Sequence, residues 1–348
     1  MTRAWFFLLM VLWLGSGPAL AQKPEPWPSK NIRLVVPYAA GGPADLVARE
    51  LAQVLAADLK QAVTVENMGG AMGVNALGVA ARAEPDGHTW VMPAVGNVVL
   101  QPMLSKHGGA DLLAKLKPVG TVSTAPHVLV VSAKLPVKTL QELVDYARAN
   151  PGKLSFASAG TGGTAHLGME MFKLMSGADV LHVPYKGSSG AFNDLASGQV
   201  SALFSSLPSL QGLVDKGLVR ILAATAPSIS PATKSLPLMG SVLPGFDYAT
   251  WYAMYVPQAT PAPLVERINT ALNKALKNPR LAEKVQAAGT ELHAGTPEEV
   301  LRWTERDAEK WKRVIQTAPS ASTELMLRAS GCAGAPDGIR WGWCRRAP

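Results

Sequence analysis

Strand-length apolar runs alternate with helix-length amphipathic segments along most of this 348-residue chain. Ile32 to Tyr38 has the pattern of a buried strand, and Ala44 to Leu59 then brings its aliphatic side chains to one helical face. The alternation continues to an amphipathic helix over Pro297 to Thr317. Strands separated by helices of this length are typical of parallel sheets, so we predict an α/β fold. Ligands then bind beyond the carboxyl ends of the strands, in loops that lead from a strand into a helix.

The segments between these elements follow the same alternation, with a second unit that begins near Val122. The other predicted strands are Ala62 to Glu66, His88 to Pro93, Val128 to Val131, Leu154 to Ala157, Leu181 to Pro184, Val200 to Phe204, Val219 to Ala223 and Tyr252 to Val256. The other predicted helices are Val74 to Arg82, Leu140 to Ala149, Ala165 to Met175, Ala191 to Ser197, Ser209 to Lys216, Pro263 to Leu276 and Leu281 to Ala288.

The amino-terminal stretch Met1 to Ala21 has the three parts of a secretory signal. Arg3 supplies a positive charge, Ala4 to Leu14 is an uncharged apolar run, and Ala19-Leu20-Ala21 offers small residues before a cleavage point. An uncleaved membrane anchor is the alternative, but the apolar run is shorter than the ~20 residues that span a bilayer. We therefore expect an exported protein, which in a bacterial cell means the periplasm.

The carboxyl-terminal residues 319–348 differ in character from the rest. They lack helical and strand periodicity, and they contain both cysteines of the chain, Cys332 and Cys344. We expect a disordered tail foreign to the fold, for example from a change of reading frame; the alternative is a disulfide clip between the two cysteines. Residues before this tail have no thiol, which excludes a thiolate metal site, a cysteine nucleophile and a disulfide framework there.

The composition excludes two broad classes of protein. Charged residues make up 17% and hydrophobic residues 48% of the chain, which fits neither a disordered chain nor a highly charged nucleic-acid binder. The formal net charge of +8 is a mild bias that suits anionic small molecules and simple solubility equally. Aromatic residues do not interleave with basic ones as in a platform that stacks single strands, so we predict no nucleic-acid partner.

The loop Pro37 to Asp45 is the first of two strand-to-helix loops with an unusual composition. Gly41 and Gly42 allow positive φ and a close approach to the backbone, and Pro43 suits a first helical turn. Exposed amides and the helix dipole make the loop a candidate anion cradle. The alternative is an ordinary glycine turn in which Asp45 satisfies free amides of the first turn.

The second such loop, Ser158 to His166, combines three glycines with the hydroxyls of Ser158, Thr161 and Thr164. Neutral donors at a helix amino terminus suit the oxygens of a carboxylate or phosphate. Its glycines also fit a loose dinucleotide fingerprint, but the following strand ends without an acidic residue and an exported protein has little access to NAD. We therefore predict no cofactor.

The sequence motifs of common enzyme classes are mostly absent, and we do not expect the chain to be an enzyme. It contains no phosphate-binding GxxxxGK[ST] loop, no GxSxG elbow and no HExxH zinc motif. His166 and Glu170 lie one helical turn apart, but a third metal ligand has no evident source, so no metal is predicted. An exported hydrolase, with Ser158 or Ser188 as nucleophile and His166 or His182 as base, remains the alternative.

Short motifs spread over residues 27 to about 317 share one family pattern. They are Trp27 to Tyr38, Gly41 to Arg49, Val65 to Asn67, Pro85 to Thr89, Pro151 to Lys153, Ser158 to Leu167, His182 to Ser188, Leu207 to Ser209 and Gly295 to Glu299. In these motifs the chain resembles the Bug family of extracytoplasmic solute receptors, which are related to the TctC component of tripartite tricarboxylate transporters. The resemblance does not extend into residues 319–348.

The resemblance implies a two-lobed periplasmic binding protein of type II, with two crossovers between the lobes. Residues 22–122 with 226–318 would form lobe 1, and residues 123–225 lobe 2. It also implies that the two loops hold a ligand carboxylate. The implied ligand-binding residues are Tyr38, Ala40, Gly41, Gly42 and Asp45 on one side, Ser158, Gly160, Thr161, Gly162, Thr164 and His166 on the other, and Asn97 as a weaker candidate.

The function implied is reception of a small carboxylate, such as a di- or tricarboxylate or an aromatic carboxylate, for uptake or sensing. A membrane permease or a sensor kinase would be the partner, and we expect a monomer. A DNA-associated effector domain is a further alternative, because this fold also occurs in transcription regulators; the signal peptide and the lack of a helix-turn-helix segment count against it.

Overall fold

The computed structural model describes residues 27–104, 109–158, 163–185, 188–228, 230–231 and 233–317. The predicted signal, the carboxyl-terminal tail with its two cysteines, and residues Gly160, Thr161 and Gly162 of the second loop lie outside the described residues. The helices, strands and contacts of the fold belong to the described ranges.

Strands and helices alternate along these ranges. The strands are β1 (Ile32–Val36), β2 (Val63–Asn67), β3 (Thr89–Val91), β4 (Leu116–Pro126), β5 (Val128–Ser132), β6 (Leu154–Ser158), β7 (Val180–Pro184), β8 (Ala202–Ser205), β9 (Val219–Ala224), β10 (Ala249–Pro257) and β11 (Glu291–Leu292). The α-helices are α1 (Pro43–Leu59), α2 (Val74–Ala81), α3 (Gln101–Leu104), α4 (Gly109–Leu113), α5 (Leu140–Ala149), α6 (Thr164–Ser176), α7 (Ser188–Ser197), α8 (Leu207–Asp215), α9 (Ala262–Leu276), α10 (Pro279–Ala287) and α11 (Pro297–Thr317). A π-helical turn (Gly96–Leu100) precedes α3.

The strands form two sheets. The first has the order β11-β4-β10-β3-β1-β2, and the second has the order β7-β6-β8-β5-β9. Around β1 and β6 the pairing is parallel, and the loops that follow these two strands lead into α1 and α6. These are the two loops singled out from the sequence.

The expected parallel pairing is present only in part, because both sheets are mixed. β10 is antiparallel to β3 and β4, and β5 is antiparallel to β8 and β9. The physical reason is connectivity: β4 and β5 carry the chain from the first sheet to the second, whereas β9 and β10 carry it back. Outward and return strands that pair within one sheet must run in opposite directions.

Some element boundaries differ from the prediction as well. The strand β4 begins at Leu116, whereas the sequence pattern placed the start of the second unit near Val122. The helical turns over residues 96–104 and 109–113 and the short strand β11 were not predicted. By contrast, the predicted helix Leu140 to Ala149 coincides with α5, where Thr139 caps the first turn by accepting a hydrogen bond from the Glu142 amide.

The sheets are buried by helices on their faces. Ile32, Leu34 and Val36 of β1 are fully buried, and Val47 and Leu51 of α1 pack against them in one apolar cluster. Each such side chain contributes about 1.5–3 kcal/mol when removed from water. The packing therefore holds β1, and the loop at its carboxyl end, in a defined place.

Hydrogen bonds join the two crossovers to each other. His127 alone separates β4 from β5, and Thr225 follows β9 directly. The Thr225 amide donates to the His127 carbonyl (2.8 Å), and the His127 amide donates to Thr225 Oγ1 (2.9 Å). The Thr225 hydroxyl donates in turn to the Tyr248 carbonyl (2.7 Å). His127 and Thr225, which we call the hinge, are therefore joined by backbone and side-chain hydrogen bonds where the chain passes between the sheets.

Tyr248 connects this hinge to α6. Its buried ring lies edge-on to His127, at 5.4 Å between ring centroids, and also packs on Trp311 of α11 at 5.7 Å. A Cβ at Gly168 of α6 would lie 2.6 Å from two carbons of the Tyr248 ring. Only glycine at position 168 lets α6 approach the hinge this closely.

We predict that Gly168→Ala destabilises the protein, because the added methyl meets a rigid, buried ring. The expected loss in the free energy of unfolding is about 1–3 kcal/mol, measured by urea denaturation. Gly212→Ala in α8 is the matched control, since a Cβ there meets nothing within 4 Å. That control should be neutral or stabilising by up to about 1 kcal/mol. Equal stability of the two variants would contradict the close contact.

Candidate functional site

A cavity of about 500 Å³ lies between the two sheets. Residues from both sheets and from both singled-out loops line it. The polar and aromatic ones are Tyr38, Asn97, His127, Ser158, Thr164, Phe192, Phe204, Ser205, Ser206, Ser209, Thr250 and Tyr252. The volume is in the range of small-molecule sites, which also share its combination of apolar walls with a few polar groups.

In the first loop, Tyr38 and Pro43 line the cavity. Ala40 and Gly41 are exposed nearby and Gly42 is half-buried. Gly41 has a φ of +86°, a conformation that other residues rarely adopt. The loop thus reaches the cavity with its backbone turned tightly at the entrance to α1.

Asp45 forms hydrogen bonds within its own loop and helix. Its Oδ2 accepts from the Gly41 amide (2.9 Å) and from Arg49 Nε (3.0 Å). Burial opposes ionisation, but these hydrogen bonds and the Arg49 charge outweigh it and lower the pKa of the Asp45 carboxyl. The Gly41 contact agrees with the alternative in which Asp45 satisfies an amide of the turn, and Asp45 is not among the described residues that line the cavity.

Asn97 is buried, lines the cavity and forms hydrogen bonds with three neighbouring residues. Its Oδ1 accepts from the Tyr38 hydroxyl (2.8 Å) and from the Ala94 amide (2.9 Å), and its Nδ2 donates to the Met72 carbonyl (2.9 Å). Burial raises the pKa of Tyr38, so its hydroxyl stays protonated and able to donate. The side chain of Asn97 therefore holds Tyr38 in position.

In the second loop, Ser158 and Thr164 line the cavity, whereas His166 does not. Ser158 Oγ lies 2.7 Å from His182 Nε2, and the His182 ring stacks on His166 at 4.1 Å between centroids. His166 is 1% exposed, and its Nε2 lies 3.8 Å from Oε1 of the equally buried Glu170. His166 thus contacts His182, the partner of Ser158, and does not line the cavity.

The metal alternative finds no support among the described residues, which contain no group of three or more His, Cys, Asp or Glu side chains placed to hold an ion. The Ser158–His182 distance would suit a nucleophile and its base. It equally suits a serine whose hydroxyl is anchored by a neighbouring strand, so this distance alone does not identify an enzyme. In the same part of the chain, no helix combines the length and the apolarity needed to cross a membrane.

Sequence reasoning missed His127, which lines the cavity at the hinge. Its Nε2 lies 3.1 Å from Thr250 Oγ1, which in turn lies 3.4 Å from Thr164 Oγ1 of the second loop. Desolvation lowers the pKa of His127 from 6.5 to about 4, so the imidazole is neutral near neutral pH. No local sequence signal marks this residue, because its role arises from the meeting of two crossovers.

Three serines line the cavity that are not among the predicted ligand-binding residues. Ser205 ends β8, Ser206 precedes α8, and Ser209 lies in its first turn, with 2.8 Å between the hydroxyls of Ser206 and Ser209. All three line the cavity. The rule that selected the first two loops, a strand leading directly into a helix, would have selected this one as well.

Comparison with known proteins gives consistent matches. The family model described as tripartite tricarboxylate transporter family receptor matches residues 47–319. The UPF0065 protein from the tcbD-tcbE intergenic region of Pseudomonas sp. strain P51 is 34% identical over 300 residues, which is 85% of this chain and 88% of that protein.

Two solved structures are similar over 84% of this chain and 98% of their own lengths. They are R. palustris Rpa4515 with adipate (31% identity, TM-score 0.75) and the periplasmic binding protein BugD (32% identity, TM-score 0.71). These similarities confirm a two-lobed α/β solute-binding fold.

We predict that His127 makes the protein less stable in mild acid. Between the unfolded pKa of 6.5 and the folded pKa of about 4, the unfolded chain binds a proton that the native imidazole does not. The free energy of unfolding therefore decreases as the pH is lowered through this range. His127→Gln, which cannot titrate, should lose about 1–2 kcal/mol less than wild type between about pH 7 and pH 4.5 in urea denaturation. Parallel pH profiles of the two proteins would contradict the shift.

Proposed function

The chain belongs to the tripartite tricarboxylate transporter receptor family, and from this membership we propose that it is a periplasmic receptor that closes two lobes over a small carboxylate. The family resemblance drawn from the motifs is confirmed. Its solved relatives are solute-binding proteins, which supports the expectation that the chain is not an enzyme and counts against the hydrolase. The relative Rpa4515 was solved with adipate, a carboxylate.

The observation that carries the proposal is the shared cavity. Tyr38 from the first loop and Ser158 and Thr164 from the second line the same 500 Å³ space. The helix α6 begins at Thr164, and its N-cap residue Gly163 has no side chain with which to cap the first-turn amides. Those amides, the helix dipole and the nearby hydroxyls suit a carboxylate.

Neutral donors are sufficient for a useful affinity. A micromolar ligand needs roughly −8 kcal/mol of binding free energy. Four to six charge-assisted hydrogen bonds of about 1.5–3 kcal/mol each supply this after the ordering costs are met. Because these donors are uncharged, the ligand carboxylate is the ionised group whose desolvation they must offset.

We propose two sets of ligand-binding residues, one on each lobe. The first comprises Tyr38, Ala40, Gly41, Gly42 and Asp45, with Asn97 as support. The second comprises Ser158, Gly160, Thr161, Gly162, Thr164 and His166. Within these sets, Asp45, Asn97 and His166 act by holding the loops, given the hydrogen bonds and stacking they make.

The lobes of the proposal are residues 22–122 with 226–318, and residues 123–225. A ligand that contacts both lobes favours the closed arrangement, through rotation at the hinge that contains His127 and Thr225. The protein would reach the periplasm through a cleaved signal at residues 1–21, act as a monomer, and present its ligand to a membrane permease or a sensor kinase.

We predict that adipate or another small carboxylate raises the melting temperature of the purified protein and binds in calorimetry with a submillimolar Kd. Thr164→Val removes one hydroxyl without a change in volume, and should weaken binding about three- to tenfold. Thr64→Val, at an exposed position of β2, is the control and should leave the Kd unchanged. Failure of all carboxylates in a broad screen would refute the proposal.

A further inference from the structure

We propose that the cavity selects carboxylates with a hydrocarbon body and discriminates against a ligand that carries an ammonium group, amino acids included. This inference rests on the proposed function. It assigns the chemistry of the part of the ligand that extends beyond the first and second loops. Two features of the cavity support it: an apolar wall, and a described lining that contains no carboxylate to pair with a cation.

The apolar wall is formed by the helix α7 and by the strand β8 of the second sheet. Phe192, Leu203 and Phe204 line it, with Ala191 beside them. Phe204 is 3% exposed and packs against Phe246 at 6.0 Å and Tyr248 at 5.8 Å between ring centroids. Because these contacts support the wall from behind, it is rigid. Contact with methylene or aromatic groups of a ligand is more favourable there than contact with charged groups.

No aspartate or glutamate is among the described residues that line the cavity. The carboxylates on neighbouring elements have partners elsewhere: Asp45 binds Arg49, Glu170 lies 3.4 Å from Lys173 Nζ, and Asp194 accepts from the Tyr185 hydroxyl at 2.5 Å. The internal segments outside the described residues, 105–108, 159–162 and 186–187 with residues 229 and 232, contain no acidic residue in the sequence.

The polar groups on the far side of the cavity are hydroxyls. Ser205, Ser206 and Ser209 lie where α8 begins, and the amino terminus of a helix carries a partial positive charge that opposes a cation. A ligand ammonium placed here would lose its water without gaining a negative partner. A hydroxyl of the same size would keep its hydrogen bonds to the serines.

Calorimetry with matched ligands tests the inference. We expect 6-hydroxyhexanoate to bind at least tenfold more tightly than 6-aminohexanoate, and 4-(hydroxymethyl)benzoate at least tenfold more tightly than 4-(aminomethyl)benzoate. Each pair differs only in a hydroxyl against an ammonium. Equal affinity within a pair that binds would overturn the inference.

A variant that adds a negative charge to the cavity gives a second test. It measures a change in ligand preference, which does not depend on the absolute affinity. Ser206 is the N-cap of α8, and aspartate caps a helix as well as serine does, so Ser206→Asp should fold normally while adding a carboxylate to the cavity. We expect the preference for the hydroxyl over the ammonium ligand to fall at least tenfold in Ser206→Asp. Thr139→Asp, at the exposed N-cap of α5, is the matched control and should keep the wild-type preference.

The outcomes separate this inference from the proposed function. An unchanged preference in Ser206→Asp would overturn the inference. Tight binding of citrate or malate with no binding of either hydroxyl ligand would overturn it too, while leaving the carboxylate receptor in place. Failure of every carboxylate, in wild type and variant alike, would refute the proposed function and the inference together.

Discussion

The hydrogen bonds between Thr225 and His127 fix the two connections between the sheets to each other. They join the two places, within the described residues, where the chain passes between the sheets. The backbone–backbone bond is 2.8 Å long, and the bond from the His127 amide to Thr225 Oγ1 is 2.9 Å long. The cavity lies between the two sheets that this hinge joins. Tyr248 extends the same unit to α6, and hence to the loop that begins at Ser158.

The described part of the site is built from groups that remain neutral. His127 is desolvated enough to stay uncharged, Tyr38 keeps its proton, and Asp45, which is charged, is paired with Arg49 away from the cavity. In the proposed function, such a site holds an anion through dipoles that are oriented before the ligand arrives. The described lining holds no aspartate or glutamate, and in our proposal its apolar wall and hydroxyl groups therefore determine which anions fit.

Much of the fold could be read from periodicity. The helix over Leu140 to Ala149 and the strand pattern around Ile32 to Val36 are local consequences of apolar spacing, so the sequence located them well. Strand direction was predicted wrongly for β5 and β10, because direction depends on how the chain returns from the second sheet. The two loops after β1 and β6 were recognised from their glycines and hydroxyls. The loop after β8 contains serines but no glycine, and its residues were not among the predicted ligand-binding residues.

The class of fold, the family and the two loops that border the cavity could therefore be predicted from the sequence alone. The sequence also determined that no acidic residue is available in the undescribed internal segments. The three-dimensional contacts were needed to show that His166 stacks on His182, that Asn97 positions Tyr38, and that His127 lines the cavity. The physical reason is that these roles depend on contacts between residues 16 to about 120 positions apart in the chain, which no local pattern encodes.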